Sequence, residues 1–203
     1  MAVLALLASC GSGEKKKDAP KTDSTKTDTT GVVDNNTKTK DFAYYLDKYQ
    51  KITLDGIELT QSSLNKDEKS KYINLIYNVN KPDEVGYEKV ILDLSSTNTM
   101  SQDGKDMYAN FSMENFLKGQ NNGYEKKDMI SEAMEYKSGE TTFYYCTRKN
   151  IKGAMGSQNY NLMIIQTTAD EFIITGKISV SNLKSDMVKP EEGLKKVADY
   201  LAQ

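Results

Sequence analysis

Three Ser-x-x-Lys pairs, Ser12/Lys15, Ser63/Lys66 and Ser181/Lys184, have the spacing that puts a lysine beside a serine nucleophile on one turn of a helix. A chain with sixteen Ser and 26 Lys supplies about that many pairs by chance. The Ser-Asp-Asn and Lys-Thr-Gly companions of such sites are absent, so the pairs read as incidental. Cys146 lies in the aromatic run Tyr144-Tyr145-Cys146, and a catalytic thiol there needs a base or a cation to form thiolate. The chain has no histidine, which removes the usual general base, metal ligand and pH switch; Cys146 therefore reads as a small buried hydrophobe in a strand. Asp103-Gly104-Lys105-Asp106 has carboxylates around a glycine but lacks the alternating oxygen ligands and closing Glu of a calcium loop, and reads as a solvated turn before a helix. Glu132 and Glu135 are a carboxylate pair of the kind that can flank a glycosidic bond, with no separation readable from sequence. Gly153-Ala-Met-Gly156 is too short to cradle a phosphate and reads as a hairpin connection. No residue is assigned a catalytic, cofactor-binding or metal-ligating role.

The remaining reactive residue is Cys10. Met1 to Ser9 are apolar or small throughout, and Gly11-Ser12-Gly13 end the run immediately after the cysteine. Nine such residues are far fewer than the roughly 20 needed to span a bilayer, and they carry no Lys or Arg, so the segment reads as the partial end of a signal peptide whose start falls upstream. Leu7-Ala8-Ser9-Cys10 resembles the lipobox of bacterial lipoproteins, with Leu three positions before the cysteine and small residues between. The resemblance implies diacylation of the Cys10 sulfur, cleavage after Ser9 and acylation of the freed amine. Two or three acyl chains, at about 0.8 kcal/mol per buried methylene, anchor a protein stably without crossing the bilayer. Ser12 rather than Asp behind the cysteine resembles outer-membrane sorting in Gram-negative bacteria.

From Gly11 to Lys40 the chain holds seven Thr, seven Lys and five acids, with only Ala19, Val32 and Val33 to bury. No core can form from such a stretch, so residues 10–40 read as a lipidated, disordered tether. Thirty flexible residues span on the order of 30 Å r.m.s.. Lys15 to Lys17 are flanked by Glu14 and Asp18 and read as solvated. All five Phe and all thirteen Tyr follow Asp41, which sets a single domain at 41–203. That domain carries a net charge of −4, and the chain's pI is near 5.4, so no basic field exists to capture nucleic acid. A mean hydropathy of −0.65 excludes a multi-span membrane protein.

Phe42, Leu46 and Tyr49 behind Asp41 predict a helix over 42–50. Ile52 to Thr60, broken at Asp55-Gly56, predicts two short strands or one bent one, and Tyr72–Val79 with Tyr87–Leu94 predicts a hairpin turning near Pro82. Met107, Phe111, Phe116 and Leu117, bounded by Gly104 and Gly119, predict one middle helix. Residues 129–136 and 141–148 predict a strand pair turning at Lys137-Ser138-Gly139-Glu140. Tyr160–Thr168 and Phe172–Val180 predict the clearest hairpin; Leu162 and Ile164 alternate with Met163 and Ile165, so that strand should be covered on both faces near the sheet centre. Pro190, then Leu194, Val197, Ala198 and Leu201 at helical spacing, predict a C-terminal amphipathic helix.

The sum is an α+β domain: an antiparallel sheet in two groups of four strands with helices packed on it. Residues 86–203 resemble PsbP-like domains in element order and Tyr-rich strands, with no signature motif to transfer; the resemblance implies a central antiparallel sheet between helices. Cystatin-like and lipocalin-like domains have similar patterning. The tyrosines offer rigid amphipathic surface, and Tyr44, Tyr45, Tyr49, Tyr72, Tyr77, Tyr87, Tyr144 and Tyr145 are the candidate recognition face, although a core without Trp also draws on Tyr. The functional expectation is an envelope lipoprotein whose head binds or assembles with an envelope protein or glycan, without a cofactor. The alternatives are an envelope hydrolase, marked by a narrow cleft of convergent carboxylates, and a structural envelope component, marked by neither feature.

Overall fold

The computed structural model describes residues 40–152, 159–181 and 188–203. The lipobox, the tether up to residue 39, the Ser12/Lys15 pair, Lys184 and the Gly153–Gly156 stretch lie outside the described residues. The sheet has seven antiparallel strands in the order β1-β2-β3-β7-β6-β5-β4. Their ranges are β1 Leu59–Asp67, β2 Tyr72–Val79, β3 Lys89–Ser96, β4 Met134–Ser138, β5 Thr141–Ile151, β6 Tyr160–Ala169 and β7 Phe172–Ser181. Two meanders, β1 to β3 and β4 to β7, meet where β3 pairs with β7 from Lys89↔Ser179 to Ser96↔Phe172. Among the described residues five α-helices accompany them: α1 Phe42–Gln50, α2 Pro82–Val85, α3 Gln102–Ala109, α4 Met113–Asn121 and α5 Val188–Ala202.

Helix α1 starts where Asp41 Oδ1 accepts a 2.9 Å bond from the Tyr44 amide, and it buries Tyr45 and Tyr49 four residues apart. With α5, which buries Leu194, Val197, Ala198 and Leu201, it covers one sheet face. Each fully buried Leu or Val contributes about 1.5–3 kcal/mol by leaving water. Gly176 at the centre of β7 makes this contact close. A Cβ there would lie 2.6 Å from Val197 Cγ1, so only a glycine lets α5 approach the sheet at that point. On the opposite face α4 sets Phe116 against Cys146 of β5 and Ile164 of β6, with Phe111, Leu117 and Tyr144 around them. Strand β6 is thus buried on both faces beside the central β7, as its alternation predicts.

The expected middle helix is two helices. Ser112 Oγ caps α4 by accepting from the Asn115 amide at 3.2 Å, and Asn115 Nδ2 donates to Met107 O and Asn110 O, tying α3 to α4 across the break. The first group of strands also differs. Leu54 and Ile57 form only an isolated bridge about the Asp55-Gly56 turn, where Gly56 has φ +71°, and the strand begins at Leu59. Seven strands replace the expected eight, because β1 is an exposed edge strand whose Gln61, Ser62, Ser63, Asn65 and Lys66 show no apolar alternation; pairing with β2 makes it a strand. Strand β4 starts at Met134 rather than near Met129.

Candidate functional site

The chain passes from the Asp55-Gly56 turn to Ile57, while α2, the segment that follows it through Tyr87, and α5 converge beside it. Pro82 opens α2, and Gly86 ends it in the left-handed region at φ +83°. The next residue, Tyr87, turns inward and is 1% exposed. Gly86 lies against Lys189 and Pro190 at the start of α5, close enough that a Cβ would come 3.2 Å from Pro190 Cδ. One turn further on, Gly193 packs on the Tyr87 ring: a Cβ would lie 2.3 Å from Cε1 and 2.9 Å from the hydroxyl oxygen. An interior helix glycine costs about 1 kcal/mol relative to Ala, and this close approach is the physical reason for it.

These elements enclose a groove of about 180 Å³ lined by Gly56, Ile57, Glu84, Val85, Tyr87 and, from α5, Lys189, Glu192, Gly193 and Lys196. Two lysines strap its rim. Lys196 Nζ donates to Asp55 O at 2.8 Å and Lys189 Nζ to Glu84 O at 3.3 Å. Glu84 and Glu192 are exposed, and Glu84 also pairs with Lys81 at 3.6 Å. Burial pushes the Tyr87 phenol up to about 12, so it is a neutral hydroxyl under all ordinary conditions. Its oxygen is buried and has no hydrogen-bond partner. Tyr49, sealed in the core beneath α1, carries the other such hydroxyl among the described residues.

A second polar feature lies on the sheet face opposite α1. Asn74 on β2, Asp93 on β3 and Thr175 on β7 share one row across the sheet, and Lys177 stands beside it. Lys177 Nζ meets Asp93 Oδ2 at 2.5 Å, and Asn74 Nδ2 donates to Asp93 Oδ1 at 2.5 Å. Tyr72, Ile76 and Ile91 flank this cluster, half-buried.

The tyrosine face is corrected by burial. Tyr45, Tyr49, Tyr77, Tyr87 and Tyr145 are at most 5% exposed, because alternation in the strands, four-residue spacing in α1 and, for Tyr87, the turn after Gly86 direct them into the core. Tyr45 packs edge-on against Phe172 at 5.4 Å, Tyr77 donates to Tyr49 O at 2.5 Å, and Tyr145 donates to Glu191 at 3.0 Å. Tyr44, Tyr72 and Tyr144 remain half-buried but do not come together: Tyr44 is on α1 near Lys48, Tyr72 is on β2, and Tyr144, on β5, meets the Phe111 ring at a tilt. Ser63 and Lys66 both lie on β1, paired with Ile76 and Ile73, so they face opposite sides of the sheet. Asp103 and Asp106 fall within α3, where Asp106 accepts from Gln102 at 2.7 Å. Glu132 is exposed, and Glu135 pairs with Lys137 at 3.5 Å. Cys146 is 1% exposed, and burial pushes its thiol up to about 12 despite the opposing pull of Arg148. Among the described residues no three His, Cys, Asp or Glu side chains gather as metal ligands, and no helix is long and apolar enough to cross a membrane. The groove itself escaped sequence reasoning, although Gly193 inside an amphipathic helix was its one legible sign.

No family model matches the chain, and no curated protein matches it. Among solved structures it is similar to the solution structure of cyanobacterial PsbP (CyanoP) from Synechocystis sp. PCC 6803. The two are 16% identical, over 74% of this chain and 97% of that one, with a TM-score of 0.34. A likeness that loose transfers no function.

Proposed function

We propose that this chain is a lipid-anchored protein of a bacterial cell envelope, whose α+β head, residues 41–203, binds or assembles with another envelope component. The observation that carries the reading is Leu7-Ala8-Ser9-Cys10: it closes an apolar run and is followed at once by thirty residues with almost nothing to bury. Lipid on Cys10 fixes one end of the chain at the bilayer, and the tether lets the head stand on the order of 30 Å away.

Binding is favoured over hydrolysis by the character of the groove. Glu84 and Glu192 are exposed beside lysines, whereas carboxylate hydrolysis relies on an acid shielded by an apolar wall. Expression behind a complete signal sequence with radiolabelled palmitate tests the anchor. The native chain should be labelled and sediment with membranes, and Cys10→Ala should lose both properties. Continued labelling of Cys10→Ala would refute the lipobox assignment.

A further inference from the structure

The two edges of the sheet are built differently. Edge strand β4 has five residues, carries Glu135 and Lys137, and is held to α5 where the Tyr136 hydroxyl donates to Asp199 at 2.8 Å. Short length and charge are the usual protection of an open edge against pairing with another chain. Edge strand β1 has nine residues, and residues 59–65 hold neither a charge nor a proline. Among the described residues no strand pairs with its outer side, so N–H and C=O groups there face outward in a row. Leu64 on this strand is 36% exposed, one of four large hydrophobic side chains left open among the described residues. The bulge between Gln61 and Ser63 adds a symmetry. Leu59 and Leu64 are five positions apart, a spacing that would put them on opposite faces of a regular strand. The extra residue returns them to one face, opposite Val79 and Leu75, and sets Thr60 and Ser63 together on the other, opposite Asn78 and Ile76. A second β1 laid antiparallel about a two-fold axis between Gln61 and Ser62 therefore matches like with like: Leu59 faces Leu64 and Thr60 faces Ser63, each twice, and no charged residue enters the paired stretch.

We infer that β1 is a self-association edge, on which a second copy of this chain adds its own β1 antiparallel to form a two-fold dimer with one continuous sheet. Association closes at two copies, because each β1 edge is consumed by the other and the edges that remain are the two short, charged β4 strands. One strand on one strand falls below the roughly 1,200 Å² of a standard interface, so the dimer is weak and forms only as concentration rises. Pairing of this kind needs neither the lipid anchor nor the groove, so failure of the palmitate labelling would leave it standing.

The test is sedimentation velocity and amide NMR of the full chain carrying Cys10→Ser, from about 10 µM to about 1 mM protein. The parent should pass from monomer to dimer across this range and stop there, with concentration-dependent amide shifts centred on Thr60 to Leu64. Thr60→Lys with Ser63→Lys sets like charges opposite each other twice and should weaken the dimer at least fivefold. Thr60→Lys with Ser63→Glu sets opposite charges at the same positions and should restore it to parental strength or better. Both positions are exposed, and melting temperatures within a few degrees of the parent's will show that both variants fold. The inference is overturned if the parent stays monomeric at about 1 mM, which would leave the edge to a different partner, or if it grows past a dimer. It is equally overturned if the two-lysine variant associates as tightly as the parent, if the mixed-charge variant fails to recover association, or if the concentration-dependent shifts are confined to β4 or the groove.

Discussion

Replacing Gly176 with alanine tests whether α5 docks on the sheet centre through a missing side chain. In an ordinary strand the change would stabilise by roughly 0.5–1 kcal/mol, because glycine loses the most chain entropy on folding. Here the new Cβ would lie 2.6 Å from Val197 Cγ1 and 3.2 Å from both Ile165 Cγ2 and Leu201 Cδ1. Carbon atoms pack best at about 3.5–4.0 Å, so the nearest contact is short by about 1 Å and three buried side chains must move. Overpacking of this kind costs roughly 1–3 kcal/mol, which outweighs the entropic gain and leaves a net loss of about 1–2 kcal/mol. For a domain of this size that lowers the melting temperature by about 2–8 °C. Val197→Ala alone removes two buried methyl groups and costs about 1.5 kcal/mol. The double variant should be more stable than the sum of the two losses predicts, by about 0.5–1 kcal/mol, since removing Cγ1 relieves the worst contact but not the other two. Urea denaturation followed by circular dichroism, with the slope unchanged across the set, measures all four proteins. If Gly176→Ala is neutral or stabilising, or if the two losses simply add, then α5 does not rest on β7 as described.

Two further outcomes concern the buried tyrosines. Tyr49→Phe removes a hydroxyl without a partner and should leave stability unchanged or raise it by up to about 1 kcal/mol, whereas Tyr77→Phe removes the bond to Tyr49 O and should cost about 1 kcal/mol; the same urea series checks the contrast, and a costly Tyr49→Phe would mean its hydroxyl is bonded. Alkaline pH should unfold the domain: Tyr45, Tyr87 and Tyr145 are pushed up to about 12 from an ordinary value near 10, chiefly by burial. The folded state then holds more protons than the unfolded one above pH 10, so this stability is full below about 10 and is lost as pH rises toward 12. Absorbance at 295 nm should show phenolate appearing together with unfolding, and ionisation at pH 10 in a folded domain would contradict the burial.

The elements whose residues bury a regular face were legible in the chain. Phe42, Leu46 and Tyr49, the β6–β7 hairpin and the stripe Leu194, Val197, Ala198 and Leu201 announce their structure through local periodicity. Strand β1 did not, because an exposed edge strand has no face to pattern and exists only through its bonds to β2. Met107, Phe111, Phe116 and Leu117 carry the spacing of one helix, whereas the Ser112 and Asn115 side chains between them cap and divide two.

Composition likewise shows that there are enough tyrosines for a core without Trp, but which tyrosines lie inside depends on the face each strand turns to its neighbours. The groove belongs wholly to the tertiary level: Gly56, Tyr87 and Gly193 are separated by 31 and 106 positions, and only the docking of α5 beside α2 brings them together. Amphipathic period and capping chemistry are short-range properties that a chain writes into adjacent residues. A binding surface is made by long-range contacts, whose geometry is decided when the whole core packs.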